Sequence, residues 1–368
     1  MLNIFNSEMD FIIDWERKNM DVTMKDVAKL AGVSLSTVSR VLNDSSLVRE
    51  ETARKVKKAV DKLDYQINDS ARILRTNTSN LIGVIGAGME RPFLANLLKG
   101  IEAEARERGF ALIYGDSDGE LEKEQSYLNI MKQKKIDGII LITTNYYNDL
   151  LSIVKNYKIP VVFASGYIND PEISCVTVDN VAAAYDVVEY LCQVGHQDIA
   201  FIKGPDLDLL ASQERLRGVK LALRLSDIEY DPKRFIEGDF TFESGYSAAK
   251  KIINKFPDVT AIFAFNDEMA VGVISYLKEH NIKVPEDISV VGFDGIELGK
   301  YIDPALTTIK QSGYQLGLRS IEILNRVINQ EKIEDNKVFI PHKLVVREST
   351  NKLNEFTTNK EVISNNRG

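Results

Sequence analysis

The sequence predicts an α/β protein with a small helical head and a body of two lobes, each built on a doubly wound parallel sheet. Three observations predict this fold. Three short helical patterns occur near the start of the chain, apolar strands alternate with helices after Leu81, and the same alternation begins again at about Ala182. The 368 residues are enough to form more than one domain.

The head begins with a capping-box pattern, in which Thr23 and Asp26 start a helix predicted at 24–31. Gly32 ends this helix, and Ser34 can cap a second one. The apolar stripes of the two helices are predicted at Val27, Leu30 and Ala31 and at Val38, Val41 and Leu42. Two helices joined by a tight glycine turn form a helix-turn-helix.

A third helical segment, at about 50–63, has an apolar face and an exposed face rich in lysine and arginine. The second helix exposes Ser, Thr, Arg and Asn side chains, which are the types that contact base edges and phosphates. The pattern predicts that the head binds DNA, and the alternative is an ordinary helical subdomain.

The charge of the chain is distributed unevenly. Residues 20–80 carry eleven Lys and Arg against eight Asp and Glu, whereas residues 1–19 carry two against four, so the part after residue 80 has a charge of −9 within the total of −8. An acidic body repels phosphate, but a small basic head can still bind DNA by releasing counterions. From charge alone, a solvated helix face is the alternative.

Several classes of protein are disfavoured. No apolar run approaches the roughly 20 residues that span a bilayer, and the N-terminus lacks a secretory signal pattern, so we expect a cytoplasmic protein. Only Cys175 and Cys192 are present, without a CxxC pattern, and the histidines His196, His280 and His342 are scattered. We therefore expect no metal site and no cofactor. The absence of GxSxG, Walker A and HExxH motifs disfavours an enzyme.

The stretch LIGVIGAGMERPF, at 81–93, is similar to a dinucleotide-binding fingerprint. Arg91 stands where that fingerprint needs its third glycine, although Asp116 follows the next strand as an acidic residue would. We interpret Gly86-Ala87-Gly88 as a turn that leads Phe93 to a cleft, because glycines form such turns at little steric cost.

Residues that follow the strands of two facing lobes are expected to line a cleft between them. The candidates are Phe93, Asp116, Ser165, Arg215, Phe240, Asn266, Asp267 and Asp294. Aromatic faces stack on sugars, while Asn, Asp and Arg side chains bind hydroxyls, so the set predicts a small sugar or polyol site. Phe93 and Phe240 are alternatively core aromatics, and Asp267 is alternatively a helix N-cap.

The segment TMKDVAKLAGVSLSTVSRVLN, at 23–43, resembles the N-terminal signature of the lactose/galactose/purine repressor family of bacterial transcription regulators, and the resemblance extends to about residue 350. It implies a periplasmic-binding-protein-like body and a regulator that binds a pseudo-palindromic operator as a homodimer. In the family's pattern, ASQERLRG places an effector-binding arginine at Arg215, FNDEMAVG places Asn266 and Asp267, and VGFDG places Asp294.

The segment Asn68 to Arg75 is similar to the family's hinge helix, which folds on operator DNA and wedges a leucine, here Leu74, into the minor groove. A linker leucine is the alternative for Leu74. We expect Leu35, Ser36 and Arg40 to read the major groove. The full set of expected DNA contacts is Thr23, Ser34, Leu35, Ser36, Thr37, Ser39, Arg40 and Asn43 in the head and Asn68, Ala71, Arg72 and Leu74 in the hinge.

The domain boundaries follow from these patterns. They are an N-terminal extension at 1–20, the head at 21–66, the hinge and linker at 67–80, the body at 81–350 and a polar tail at 351–368. Within the body, lobe 1 is predicted at about 81–180 and 309–340, and lobe 2 at about 181–308 and 341–350. The tail lacks leucine heptads, so we expect a dimer.

The effector has three alternatives. A sugar or sugar derivative fits the candidate residues. Some members of the family are co-repressed by a phosphocarrier protein that docks on the sensor lobe, and others bind a purine. Leu209 and Ala211 stand where the purine branch uses polar side chains, which disfavours a purine. A sugar-binding protein without a DNA role is the alternative to a regulator.

Overall fold

The structure is a computed structural model that describes residues 22–43, 48–65, 78–88, 90–142, 148–166, 170–205 and 211–352. The chain divides into two compact units, Met1–Ser79 and Asn80–Gly368. The predicted N-terminal extension, the hinge residues Asn68, Ala71, Arg72 and Leu74, and the tail after Lys352 lie outside the described residues. The predictions made for them therefore stay predictions.

The head has three helices, α1 (Met24–Ala31), α2 (Leu35–Asn43) and α3 (Glu50–Leu63). The predicted bounds of α1 and α3 are confirmed. At the start of α1 the backbone N–H of Thr23 donates to Oδ2 of Asp26 at 2.9 Å, and Gly32 ends the helix in the left-handed region with a φ of 66°. The small core of the head contains Val27, Ala28, Val38, Val41, Ala53, Val56, Ala59 and Tyr65.

The prediction that Leu30 belongs to the buried stripe of α1 is wrong. Leu30 is 45% exposed, and Ala28 is buried instead. A helix of 8 residues has only about two turns, so a small rotation about its axis decides which neighbouring position faces the core. In the structure that rotation favours the small side chain of Ala28.

Lobe 1 begins with an alternation of strands and helices. Its elements are β1 (Leu81–Gly86), α4 (Pro92–Glu107), β2 (Ala111–Asp116), α5 (Leu121–Gln133), β3 (Gly138–Ile142), α6 (Asn148–Tyr157), β4 (Val161–Ala164) and β5 (Ser174–Thr177). Lobe 2 follows with α7 (Asn180–Gln193), β6 (Ile199–Lys203), α8 (Ala211–Leu225), β7 (Phe235–Glu237), α9 (Phe242–Lys255), β8 (Ala261–Ala264), α10 (Asp267–Glu279), β9 (Ser289–Asp294) and β10 (Thr307–Gln311). The last elements are α11 (Gly313–Ile328) and β11 (Lys337–Phe339) of lobe 1 and β12 (His342–Val345) of lobe 2.

Each lobe has one six-stranded sheet. The order is β11-β5-β4-β3-β1-β2 in lobe 1, where all neighbours are parallel, and β12-β10-β9-β8-β6-β7 in lobe 2, where only β12 is antiparallel. Helices cover the sheets and bury their apolar strands. The predicted α/β fold with two doubly wound lobes is confirmed. No helix in the described part of the chain is long and apolar enough to cross a membrane.

The chain passes between the lobes at three crossovers, which are 177–180, 311–313 and 339–342. The return to lobe 1 was predicted at about residue 309 and lies a few residues later. Ile309 and Lys310 pair with β9 and β12 in the lobe 2 sheet, so lobe 1 resumes only at Gly313. The position of the second crossover is set by strand pairing, which local composition does not reveal.

Candidate functional site

Two of the predicted cleft residues, Arg215 of α8 and Asp294 at the end of β9, form a buried ion pair. Nη2 of Arg215 lies 3.7 Å from Oδ1 of Asp294. The guanidinium also lies 3.6 Å over the ring centroid of Phe293 and donates to the carbonyl oxygen of Phe265. Contacts with an aromatic face, a carbonyl and a carboxylate fix its orientation. The two residues form a charge-balanced pair at the carboxyl edge of the lobe 2 sheet.

The protonation of Asp294 depends on its burial. Burial raises the pKa of Asp294 to about 6, while Arg215 and the side chain of Gln311 act in the opposite direction. The guanidinium of Arg215 thus favours the ionised form of Asp294 against the effect of burial.

Three predicted cleft residues have a left-handed backbone although none is glycine. The φ angles are 62° at Ser165, 68° at Phe240 and 122° at Asp294. Ser165 follows β4, Phe240 lies between β7 and α9, and Asp294 ends β9. Non-glycine residues in this region carry strain that clusters at functional sites. These angles support the choice of the three positions, and no sequence pattern predicted them.

Asn266 caps α10 from the carboxyl end of β8. Its Oδ1 accepts from the backbone N–H of Met269 at 3.0 Å, and its Nδ2 donates to the carbonyl oxygen of Phe240 at 2.9 Å and to Oε2 of Glu268 at 3.4 Å. The side chain therefore fixes both the start of the helix and the strained turn at Phe240. The alternative that Asp267 is the N-cap is wrong, because Asn266 holds that position.

Asp267 is fully buried at the first position of α10. Its Oδ2 accepts from the backbone N–H of Ile296 at 2.7 Å, and its Oδ1 accepts from the hydroxyl of Thr308 at 2.5 Å. Burial, and next to it the charge of Asp294, raise the pKa of Asp267 to about 7. Both carboxyl oxygens bind lobe 2 itself, so Asp267 holds the strand ends in place around Asp294.

The lobe 1 residues of the predicted cleft lie at the carboxyl ends of β1, β2 and β4. Oδ1 of Asp116 accepts from the backbone N–H of Gly88 at 3.1 Å, so the glycine turn after β1 binds an acidic side chain of its own lobe. The backbone N–H of Ser165 donates to the carbonyl oxygen of Val176 at 2.8 Å. Both predicted aromatics are half-buried, Phe93 against the core of lobe 1 and Phe240 against that of lobe 2.

Sequence reasoning missed two charged residues, Arg91 and Glu268, that interact electrostatically with Asp294. Burial raises the pKa of Glu268 in α10 to about 7, and the charge of Asp294 adds to the rise, while Arg91 of lobe 1 lowers it. Arg91 also lowers the pKa of Asp294. The turn after β1 thus brings a positive charge close to the acidic edge of lobe 2. Arg91 directly precedes α4, and Glu268 lies in the first turn of α10. These positions near the carboxyl ends of strands were the signal by which the sequence could have revealed them.

Asn180 and Gln311 were also missed, although the rule that selects residues after strands applies to both. Asn180 opens α7 after the first crossover, and Gln311 ends β10 before the second. Each contacts one member of the Arg215–Asp294 pair.

A cavity of about 500 Å³ lies elsewhere in lobe 2, lined among others by Asp198, Tyr230, Arg234 and Phe235. Ile199 and Phe235 begin β6 and β7, so this cavity lies at the amino ends of the strands. The Arg215–Asp294 pair lies at the carboxyl ends, where ligands bind in open parallel sheets. The cavity is therefore separate from the predicted effector site.

The predicted DNA-contacting face of the head is exposed. Leu35 is 45% exposed, and Thr23, Ser34, Ser36 and Arg40 are exposed as well, while Thr37 and Ser39 are half-buried. Oγ of Ser34 accepts from the backbone N–H of Thr37 at 3.1 Å, which confirms Ser34 as the cap of α2. Asn43 ends α2, and its side chain lies outside the described residues.

Two family profiles match the chain. Residues 23–68 match "Bacterial regulatory proteins, lacI family", and residues 79–348 match "Periplasmic binding proteins and sugar binding domain of LacI family". The two matched segments correspond to the predicted head and the predicted body, and the second covers most of the length of the chain.

Curated relatives align over almost their whole length. Catabolite control protein A of Priestia megaterium is 35% identical over 331 residues, which are 90% of this chain and 100% of that protein. The transcriptional repressor PurR of Vibrio atlanticus is 37% identical over 329 residues, covering 89% of this chain and 98% of that protein.

Solved structures agree with these matches. The lac repressor dimer bound to operator and the anti-inducer ONPF has a TM-score of 0.81 and 29% identity, covering 89% of this chain and 99% of that one. The complex of the transcriptional regulator CelR with cellobiose has a TM-score of 0.69 and 29% identity, with the same coverage.

Proposed function

We propose a mode of action for this chain, which belongs to the LacI family of bacterial regulatory proteins and is a dimeric DNA-binding transcriptional repressor, not an enzyme. In this mode of action two helix-turn-helix heads bind a pseudo-palindromic operator in the cytoplasm. A neutral sugar or sugar derivative binds between the lobes and changes the affinity for the operator.

The observation that carries the choice of effector is the buried pair of Arg215 and Asp294. Its charges balance, so a ligand that replaces water there needs hydrogen-bonding groups but no net charge of its own. Hydroxyl groups both donate and accept, which suits a guanidinium on one side and a carboxylate on the other. The half-buried rings of Phe93 and Phe240 offer apolar faces for stacking.

The two lobes and their crossovers supply the switch in this proposal. A sugar that binds one arrangement of the lobes more tightly than the other shifts the population toward it. Couplings of this kind are typically about 1–3 kcal/mol, and they are reciprocal, so operator DNA must change the affinity for the sugar by the same factor.

The experiment is calorimetry with a panel that contains ribose, glucose, galactose, cellobiose and a sugar alcohol, each with and without operator DNA. We expect one or more members to bind, with an affinity that operator changes, and we expect Arg215→Ala and Asp294→Ala to abolish binding. Arg217→Ala is the matched control, because Arg217 lies on the same helix with its side chain 67% exposed. Binding that survives both variants unchanged would place the ligand elsewhere.

A gel shift against the DNA upstream of its own gene tests the repressor role. At about 150 mM salt we expect the protein to bind its specific site with an affinity about 10³-fold or more above that for bulk DNA. The rival, a sugar-binding protein without a DNA role, predicts sugar binding with no sequence preference on DNA.

Co-repression by a phosphocarrier protein is the second candidate, and the similarity to catabolite control protein A is the observation that favours it. Adding the phosphorylated phosphocarrier protein to the same gel shift separates the candidates. If it tightens operator binding while no sugar has an effect, the carrier protein is the effector.

A further inference from the structure

The Arg215–Asp294 pair is hydrogen-bonded to two of the three crossovers. Nε of Arg215 donates to Oδ1 of Asn180 at 3.0 Å, and Nε2 of Gln311 donates to Oδ1 of Asp294 at 2.6 Å. Asn180 lies at the end of the first crossover and Gln311 at the start of the second. Each member of the pair therefore contacts a different connection between the lobes.

Both bonds are buried, which makes them strong. Asn180 is 9% exposed and Gln311 is 5% exposed. Hydrogen bonds to charged groups are roughly twice as strong as those between neutral groups, and exclusion of water strengthens them further. Asn180 is also tied to its own crossover, because its Nδ2 donates to the carbonyl oxygen of Val178 at 3.5 Å. These two hydrogen bonds connect Arg215 to the backbone of the crossover.

The first crossover has space in which to move. A cavity of about 140 Å³ lies beside it, lined by Val178, Asp179, Asn180, Glu214, Lys337 and Phe339. Asp179 and Asn180 belong to the first crossover, and Phe339 begins the third. Because tightly packed interiors resist displacement, a void beside a connecting segment is where it can shift without a clash.

We propose that Asn180 and Gln311 are positioning residues that transmit the state of the Arg215–Asp294 pair to the first two crossovers and so set the relative orientation of the lobes. The link to regulation rests on the proposed function, in which that pair binds the effector. In this mechanism a ligand that draws Arg215 or Asp294 toward itself pulls on one of the two buried hydrogen bonds. The crossover attached to that bond then moves in the same direction.

Hydrogen exchange of backbone amides in the full-length chain tests the proposal without any ligand. Two amides report on the crossovers, Ala182, which donates to Oδ1 of Asp179 at 2.9 Å, and Gln315, which donates to Oγ of Ser312 at 3.3 Å. Arg215→Ala disturbs one member of the pair and Asp294→Ala the other. We expect the first to speed exchange at Ala182 and the second at Gln315, each about tenfold, as for loss of one strong hydrogen bond.

The decisive comparison repeats both changes after each link has been cut. In an Asn180→Leu background Arg215→Ala should no longer affect Ala182, and in a Gln311→Met background Asp294→Ala should no longer affect Gln315. Asn180→Asp keeps an acceptor for Arg215 but loses the donor to the carbonyl oxygen of Val178, so the first effect should stay smaller than in the wild type. Asn336→Leu is the matched control, because the Asn336 amide donates at 3.0 Å to the carbonyl oxygen of Asp170 within lobe 1. In that background both effects should remain.

Effects that persist unchanged in the Leu and Met backgrounds, or that spread equally to α9, would overturn the proposal, because they would indicate general loosening of lobe 2. Failure of the proposed function has a different signature. If no sugar binds in calorimetry while the exchange pattern is as expected, the links exist and the choice of effector is at fault.

Discussion

A Cβ atom added to Gly100 would overlap the carbonyl oxygen of Tyr314, because α4 and α11 approach each other at this glycine. Gly317 of α11 is in the same situation toward Leu97 of α4. These two helices lie on the lobe 1 sheet, and α11 is the element that returns the chain from lobe 2. The close packing of lobe 1 thus depends on glycine at both positions.

Gly100→Ala is expected to destabilise the body by about 1–3 kcal/mol, because the added methyl group meets backbone atoms that cannot turn aside. Urea unfolding of the full chain measures this loss. Gly299→Ala is the control, since its nearest neighbour, the Cβ atom of Leu306, would be 3.4 Å away, and we expect a change within about 0.5 kcal/mol. Equal losses in the two variants would contradict the packing argument.

The stability of the body is expected to depend on pH through Asp267. Its pKa of about 7 in the folded chain exceeds the ordinary value of 3.8, so the folded state holds the proton more tightly than the unfolded state. Stability from this group is full below about pH 4, falls as pH rises toward 7 and is then lost. Glu268 and Asp294 act in the same direction, while His196, whose pKa is lowered by burial, acts against them below pH 6.5.

Comparison with Asp267→Asn isolates this contribution, because asparagine keeps an acceptor but does not titrate. Between pH 4 and 7 the free energy of unfolding of the wild type should fall relative to that of the variant, by at most about 1.4 kcal/mol per pH unit. A difference that stays constant with pH would show that the carboxyl does not titrate differently on folding.

Variants of Asn266 are expected to distinguish its role in helix capping from its role in ligand binding. Asn266→Ala removes both the cap of α10 and the bond to Phe240, and should cost about 1–2 kcal/mol of stability. Asn266→Asp keeps the cap acceptor and should cost less, yet both variants should weaken binding of the panel sugar. Thermal unfolding and calorimetry measure the two effects. Sugar affinity that survives in Asn266→Asp would indicate that its amide donor takes no part in binding.

Leu35 is expected to determine the sequence preference for the operator without contributing to the stability of the head. Because Leu35 is 45% exposed, Leu35→Ala should change stability little, but if Leu35 contacts a thymine methyl group as proposed, the preferred base should change at one position of each half-site. Selection from randomised DNA duplexes measures this preference. Leu30→Ala removes an equally exposed leucine from α1 and should leave the preference unchanged. If both variants weaken all duplexes equally, Leu35 does not read sequence.

The elements that could be predicted from sequence are those with local signals. The capping box at Thr23 and the glycine after Ala31 mark both ends of α1. Arg215 and Asp294 could be selected as candidates because both match family motifs, and the structure brings them together, although their role in effector binding stays a prediction. The exposure of Leu30 and the position of the second crossover could not, since the first depends on a small helix rotation and the second on strand pairing.

The links to the crossovers were beyond sequence reasoning for a different reason. Asn180 precedes Arg215 by 35 residues and Gln311 follows Asp294 by 17, and nothing in the intervening chain indicates that the side chains meet. Likewise, the electrostatic effect of Arg91 on Glu268 and Asp294 depends on how the two lobes are arranged. Such contacts follow from the tertiary arrangement alone.

The three crossovers also determine when the lobes can form during translation. Lobe 1 needs α11 and β11, which the ribosome makes only after β10 of lobe 2, and lobe 2 needs β12, which is made last. At a few to about 20 residues per second, the first strands of lobe 1 wait many seconds for the helix that covers them. The sheet of lobe 1 is complete only when the nascent chain reaches Phe339, and that of lobe 2 only at Val345. The head, whose core is made of contiguous helices, needs no later segment, so it can fold long before either lobe is complete.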